Sequence, residues 1–236
     1  MLPDQKSKPI RIPSELVYLL GLLLMSLAVS MTAAADFGVS MIVAPAYLVS
    51  LKVSWLTFGQ AEYILQGILF VLFCALMRRV RLIYFVSFFT CLLYGLILDL
   101  WRTVVPLLNP NVTVPGSMSM PLRIFLLAAG MVITSFAVAL FFHVYLYPQV
   151  YDFFVKGLTV RYHLNVTVFK TVFDFSFLAV SVILSRVLFH AWVGIGIGTL
   201  VMTVCNGTLI GFFDRMLKRF CAFEPLFPKF AERFRF

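Results

Sequence analysis

Charge is scarce in this chain. Asp, Glu, Lys and Arg make up 12% of its 236 residues, against about 25% in a soluble domain. So little charge does not cover the surface of a water-soluble globule of this length, which excludes a water-soluble enzyme. A disordered chain is excluded as well, because 62% of the residues are hydrophobic and the mean hydropathy is +1.00. Cysteine is also sparse. Cys74, Cys91, Cys205 and Cys221 show neither C-x-x-C spacing nor a paired framework, so a disulfide-stapled secreted module falls away too. The first three lie in apolar runs and read as small buried hydrophobes. Acidic residues number 10 against 19 basic ones, a net charge of +9. The basic residues cluster between apolar runs and at both ends. That pattern suits anionic lipid headgroups and topology control, not nucleic acid.

What the chain has in quantity is long apolar sequence. Crossing a hydrocarbon core of about 30 Å takes about 20 mainly apolar residues. Six segments qualify, at 16–34, 62–77, 82–104, 122–147, 166–188 and 192–213, the second being short and able to begin nearer Phe58. The expected fold is all-α, a polytopic membrane helical bundle. The first run is too long for the hydrophobic part of a signal peptide and is expected to be a retained span. Residues 36–57 are apolar but broken by Gly38, Pro45 and Lys52, which predicts a re-entrant or interfacial segment packed against protein.

Orientation follows from Lys and Arg. Lys6, Lys8 and Arg11 precede span one, Arg78, Arg79 and Arg81 link spans two and three, and Lys156 and Arg161 link spans four and five. Arg215, Lys218, Arg219, Lys229, Arg233 and Arg235 follow span six. The other side offers little more than Lys52, Arg102, Arg123 and Arg186. Six spans with both termini cytoplasmic satisfy this bias. Residues 214–236 mix Phe with Lys and Arg and read as a basic amphipathic tail on anionic lipids.

The chain reads as one membrane domain made of two similar halves, 16–104 and 121–213. Gln66 precedes Arg78 by twelve residues, as Asp174 precedes Arg186. The phrases GLILDL from Gly95 and GTLIGF from Gly207 match in place, and Pro45 and Pro148 each follow the first span of a half. Three spans per half would set the second copy upside down in the bilayer. Inverted repeats with broken segments at matching places are a pattern of secondary transporters, whose site lies at the repeat interface.

Ionisable groups inside spans mark candidate sites, since each costs about 2.5–3.5 kcal/mol by insertion scales. Asp174 lies two turns into span five, with Lys170 four positions earlier as a plain ion-pair partner. Glu62 and Gln66 share a face of span two, and Asp174 stands at the repeat position of Gln66. Asn206, in span six, and Asp36, at the end of span one, complete the expected substrate-binding set. Asp99 with Arg102 reads as an interfacial ion pair. Gly194, Gly196 and Gly198 read as close packing and not as a nucleotide loop, because no strand precedes them. Gly207 and Gly211 read as a G-x-x-x-G tight crossing. No metal-ligand spacing, cofactor motif or marked nucleophile is present in the sequence, so neither metal, cofactor nor enzymatic activity is expected.

The phrases FGVSMIVAPAYLVS (37–50) and FGQAEYILQG (58–67), with GIGIGT (194–199) and NGTLIG (206–211), resemble the YitT/YczE family of bacterial membrane proteins. The resemblance implies a compact inner-membrane protein of five or six spans, with no settled substrate. The functional expectation is a small-solute transporter with its site between the halves. The alternatives are a substrate-binding subunit of a multi-component, ECF-like importer, which would dock its energising partner on Ser26, Ser30, Ala33 and Ala34, or a non-transporting scaffold or regulator. A homo-oligomer is compatible with each.

Overall fold

The computed structural model describes residues 10–78, 82–146 and 149–232. Lys6, Lys8, Arg79, Arg81, Tyr147, Pro148, Arg233 and Arg235 lie outside the described residues.

The described residues open with a short strand, β1 (Ile10–Pro13), which runs into α1 (Ser14–Ala35). A short helix α2 (Ala44–Lys52) follows, then α3 (Phe58–Met77) and α4 (Leu82–Val104). After a single 3-10 turn the same series comes again: α5 (Met120–Phe141), the short α6 (Val150–Tyr162), α7 (Val166–Phe189) and α8 (Ile197–Phe220). Strand β2 (Cys221–Glu224) and one helical turn, α9 (Pro228–Ala231), are the last described elements. Among the described residues six helices are long and apolar enough to cross a membrane: α1, α3, α4, α5, α7 and α8. The chain is a polytopic membrane helical bundle.

Local chemistry sets the boundaries. The Thr57 side chain accepts from the Gln60 amide at 3.1 Å, and the Gln60 side chain accepts from the Thr57 amide at 3.0 Å. This reciprocal cap starts α3 at Phe58 and gives the short second span its missing turn. The carboxylate of Asp99 secures the same end, accepting from Thr57 Oγ1 and, at 2.8 Å, from the Gly59 amide. Asp99 is therefore committed to a helix N-terminus, while Arg102 lies over the Phe58 ring at 5.1 Å. The expected Asp99–Arg102 anchor is replaced by these two contacts. Four helices end on non-glycine residues in the left-handed conformation, at Asp36, Arg78, His163 and His190, which satisfies the last carbonyls without a glycine.

Helix α1 packs antiparallel on α5 through small residues: Gly21 meets the Phe141 ring, and Gly130 meets Thr32 and the Ala28 carbonyl. Ser26 and Ser30 are fully buried and return their hydroxyls to the carbonyls of Leu22 and Ser26, each at 2.9 Å. Ala33 and Ala34 are buried as well, so the surface expected to dock an energising partner is spent inside the chain. Helices α3 and α4 cross at Gly59 and Gly95, where a Cβ on Gly59 would collide with the Gly95 carbonyl oxygen. Gly207 and Gly211, where the tight crossing was expected, have no other part of the chain within 4 Å of a built Cβ. The close approach exists, but in the first half.

Both short helices enter the bundle and lie against α3 and α7. The interrupted segment after span one is thus a loop into the protein followed by α2. Residues 37–39 cross the glycine phrase of the second half there. The Val39 amide donates to the Gly194 carbonyl at 3.0 Å, the Gly198 amide to Phe37 at 2.8 Å, and Thr199 Oγ1 to Val39 at 2.8 Å. Gly38, at φ 101°, has no room for a side chain against Gly196. This explains the glycines of both phrases: they seat one backbone on another. Span four also ends earlier than expected, at Phe141, because the chain turns back at Phe142 to form α6.

At the other end of the bundle β1 pairs with β2 in parallel, Ile10 opposite Cys221 and Pro13 opposite Glu224. The start of α1 and the end of α8 therefore meet at one end, called here the terminal end. Helix α8 continues past Phe213 to Phe220, and the segment expected to be a loose amphipathic tail is partly strand.

Candidate functional site

A cavity of about 1170 Å³ opens among α5, α6, α7 and α8, with residues 40–42 entering from the first half. Asp174 and Asn206, two of the residues expected to hold substrate, both line it. Asp174 is paired with Lys170 at 3.0 Å, the i,i+4 geometry expected from their spacing. Asn206 accepts from Ser135 Oγ at 3.3 Å, which fixes its amide across the α5–α8 contact.

Sequence reasoning missed two further charges on this wall. Asp152 and Lys156 lie on α6, line the same cavity, and are four residues apart. Asp152 is within electrostatic reach of Lys170 and Asp174. Lys156 had read only as a basic residue of a connecting loop. The signal was present, since Pro148 matched Pro45 and should have implied a second short helix after it. On its α6 and α7 walls the cavity therefore carries two acidic and two basic side chains, facing a largely apolar α5–α8 wall.

Glu62 and Gln66 stand immediately behind this wall, both fully buried. Gln66 Nε2 donates to Glu62 Oε2 at 3.3 Å, and Gln66 Oε1 accepts from the Val150 amide at 2.9 Å. Tyr151 donates its hydroxyl to Glu62 Oε2 at 2.9 Å while lining the cavity itself. The first residues of α6 thus sit on the polar face of α3, with the positive end of the α6 dipole toward the carboxylate. From there α6 runs parallel to α3: Gly157 meets Phe73, and the Tyr162 hydroxyl donates to the Leu76 carbonyl at 2.9 Å. Among the described residues none hydrogen-bonds Glu62 Oε1, the Tyr94 hydroxyl or Gln149 Nε2, all of them buried. Four of the five expected residues consequently belong to one region, two on the cavity wall and two one layer behind.

Asp36 does not join them. It lies at the opposite end of α1, where Arg123 pairs with its carboxylate at 3.4 Å and donates to the carbonyls of Ala35 and Asp36 at 2.9 Å. Arg123 also covers the Phe37 ring at 4.5 Å. Asp36 closes the C-terminus of α1 and ties it to α5.

The terminal end of the cavity is covered by the tail. Phe223, Pro225, Pro228 and Glu232 line it from above. Glu15 holds this cover, accepting from the amides of Leu226 at 3.0 Å and Phe227 at 3.3 Å and from the Tyr145 hydroxyl at 2.7 Å. Burial, with Glu15 as acceptor, raises Tyr145 above its ordinary value and keeps it a donor. His143 stacks on Phe223 at 4.6 Å and meets Asp214 at 3.1 Å. Burial lowers the His143 imidazole below its ordinary 6.5, with Asp214 opposing in part.

No curated protein and no solved structure matches this chain. The profile of a family of unknown function, DUF6198, matches residues 12–215. The match takes in five spanning helices whole and α8 as far as Arg215, with Asp152, Lys156, Lys170 and Asp174 inside it, and the chain belongs to that family.

Proposed function

We propose that this protein is a membrane transporter whose substrate site is the cavity between α5, α6, α7 and α8. One observation carries the reading: four ionisable side chains, Asp152, Lys156, Lys170 and Asp174, share a chamber inside a membrane bundle. Ionisable groups at such depth are expensive, and the bundle retains them where they meet a solute or an ion. The order of elements supports it. Helix, short helix, helix, helix occurs twice, and three crossings per series would invert the second. Each short helix packs on the third helix of both series, as in carriers whose broken helices meet at the repeat interface. The likeness to YitT/YczE proteins is part of the same reading, as is a bacterial inner membrane with both termini in the cytoplasm. Arg78, Arg161, Arg215, Lys218 and Arg219 would then face inward. No enzymatic step is part of the proposal.

The experiment is uptake into proteoliposomes with and without an imposed proton or sodium gradient, screening charged and zwitterionic solutes. Accumulation that Asp174→Asn abolishes, with folded protein still in the membrane, supports the carrier. A protein that takes up nothing but co-purifies with an ATPase and its coupling subunit is instead a substrate-binding component. A protein that does neither is a scaffold or regulator.

A further inference from the structure

Helices α7 and α8 follow one another in the second series as α3 and α4 do in the first, yet the two pairs are packed differently. Helices α3 and α4 lie together along their length, with Gly59 against Gly95. No comparable packing joins α7 and α8, and they are the least buried of the six spans. The space between them continues the cavity. Lys170 and Asp174 line it from α7, and Thr203 and Asn206 from α8. Gly207 and Gly211 extend the Thr203 face at i+4 and i+8 and meet nothing. The cavity is therefore roofed on the watery side by the tail that Glu15 holds, and is unsealed between two helices on the side that faces hydrocarbon.

Such a chamber asks for a ligand of mixed character. Its lining carries Asp152, Asp174 and Glu232 against Lys156 and Lys170. A ligand with one phosphate and one ammonium therefore meets groups of both signs, the phosphate toward Lys156 and Lys170 and the ammonium toward Asp152 and Asp174, whereas a purely anionic ligand meets an excess of acid. Acyl chains leaving between α7 and α8 would cover the bare Gly207 and Gly211 face. The volume of about 1170 Å³ also exceeds the roughly 300–1,000 Å³ typical of a small-molecule site. We propose that the cavity binds a zwitterionic aminophospholipid, admitted sideways from the leaflet between α7 and α8. This names the cargo of the carrier proposed above and rests on that reading for the transport step, but not for the binding.

The test uses the full chain, reconstituted in vesicles of equal phosphatidylethanolamine and phosphatidylglycerol and released into a mass spectrometer under native conditions. Phosphatidylethanolamine retained in preference is the expected result. Lys170→Gln with Asp174→Asn should lower retention by at least about tenfold, since a charged headgroup contact is lost at each residue. Gly207→Leu, placed where the fold leaves open space, should lower it without unfolding the protein. Soluble glycerophosphoethanolamine should not displace the lipid.

Equal retention of both lipids overturns the proposal. So does displacement by the soluble headgroup, or a dimer broken by Gly207→Leu with lipid retention unchanged, which would make this face a helix–helix interface. Transfer of fluorescent phosphatidylethanolamine between leaflets is measured separately. Retention without transfer upholds the lipid site and removes the carrier reading. Uptake of a water-soluble solute without lipid retention does the reverse.

Discussion

Tyr151 forms part of the cavity wall and at the same time donates its hydroxyl to the buried carboxylate of Glu62 at 2.9 Å. The relation joins the two layers of the candidate site. Whatever occupies the cavity touches a residue that holds Glu62. Removing the hydroxyl alone, in Tyr151→Phe, strips a donor from a buried acceptor and should cost about 1–3 kcal/mol of stability. Glu62→Gln keeps the shape and removes the buried charge, so it should unfold no earlier than the parent. Thermal unfolding in detergent reads both. A Tyr151→Phe protein as stable as the parent would mean that the contact carries nothing.

Asp174 and Lys170 neutralise each other at 3.0 Å, so each is the first casualty of losing the other. Asp174→Asn should leave Lys170 without its nearest anion and abolish uptake while preserving monodisperse protein. The double variant Asp174→Asn with Lys170→Gln should regain stability but not uptake. Recovery of both by the double variant would show that the pair only neutralises itself.

The two glycine pairs should answer substitution in opposite ways. Gly59→Ala drives a methyl into the Gly95 carbonyl, and overpacking of this kind costs about 1–3 kcal/mol. Gly207→Ala meets open space and should be neutral or gain up to about 1 kcal/mol from helix propensity. Unfolding midpoints of the two variants in the same detergent give the comparison. Equal losses would contradict the packing described.

The tail should loosen in acid. His143 stacks on Phe223 and is lowered below 6.5, chiefly by burial. A base whose folded value is depressed favours the fold while neutral. That contribution is whole above the unfolded value and is lost as pH falls through the folded one. Protease cleavage after residues 221–232 should therefore accelerate below about pH 6.5, and His143→Gln should flatten the profile. A rate that stays level from pH 7.5 to 5 in the parent would remove the histidine from any such role.

Much of the fold was legible before any coordinates, because the bilayer imposes its own arithmetic. Six long apolar runs had only helices to become, and the spans at 82–104 and 166–188 were placed to within a residue of α4 and α7. Ends were less legible where tertiary contacts decide them. The start of α3 depends on Asp99 from another helix, and the start of α6 on Gln66 of α3. The same holds for the candidate site. Asp174, Asn206, Glu62 and Gln66 stood out as polar groups in apolar sequence. Asp152 and Lys156 did not, because a short helix folded into the bundle looks like a loop when only long runs are counted. Asp36 looked like a site residue for the converse reason: its partner, Arg123, lies 87 positions away.

The parallel clasp of Ile10–Pro13 with Cys221–Glu224 sets the order in which this protein can be finished. Residues 10–13 leave the ribosome before any span, yet their partner strand emerges only after α8. Until that moment the chamber has no lid, Glu15 has no amides to grip, and the newborn bundle is open to water at that end. The latch is thus set only after the sixth span, and a chain cut short before Cys221 would be inserted but never shut.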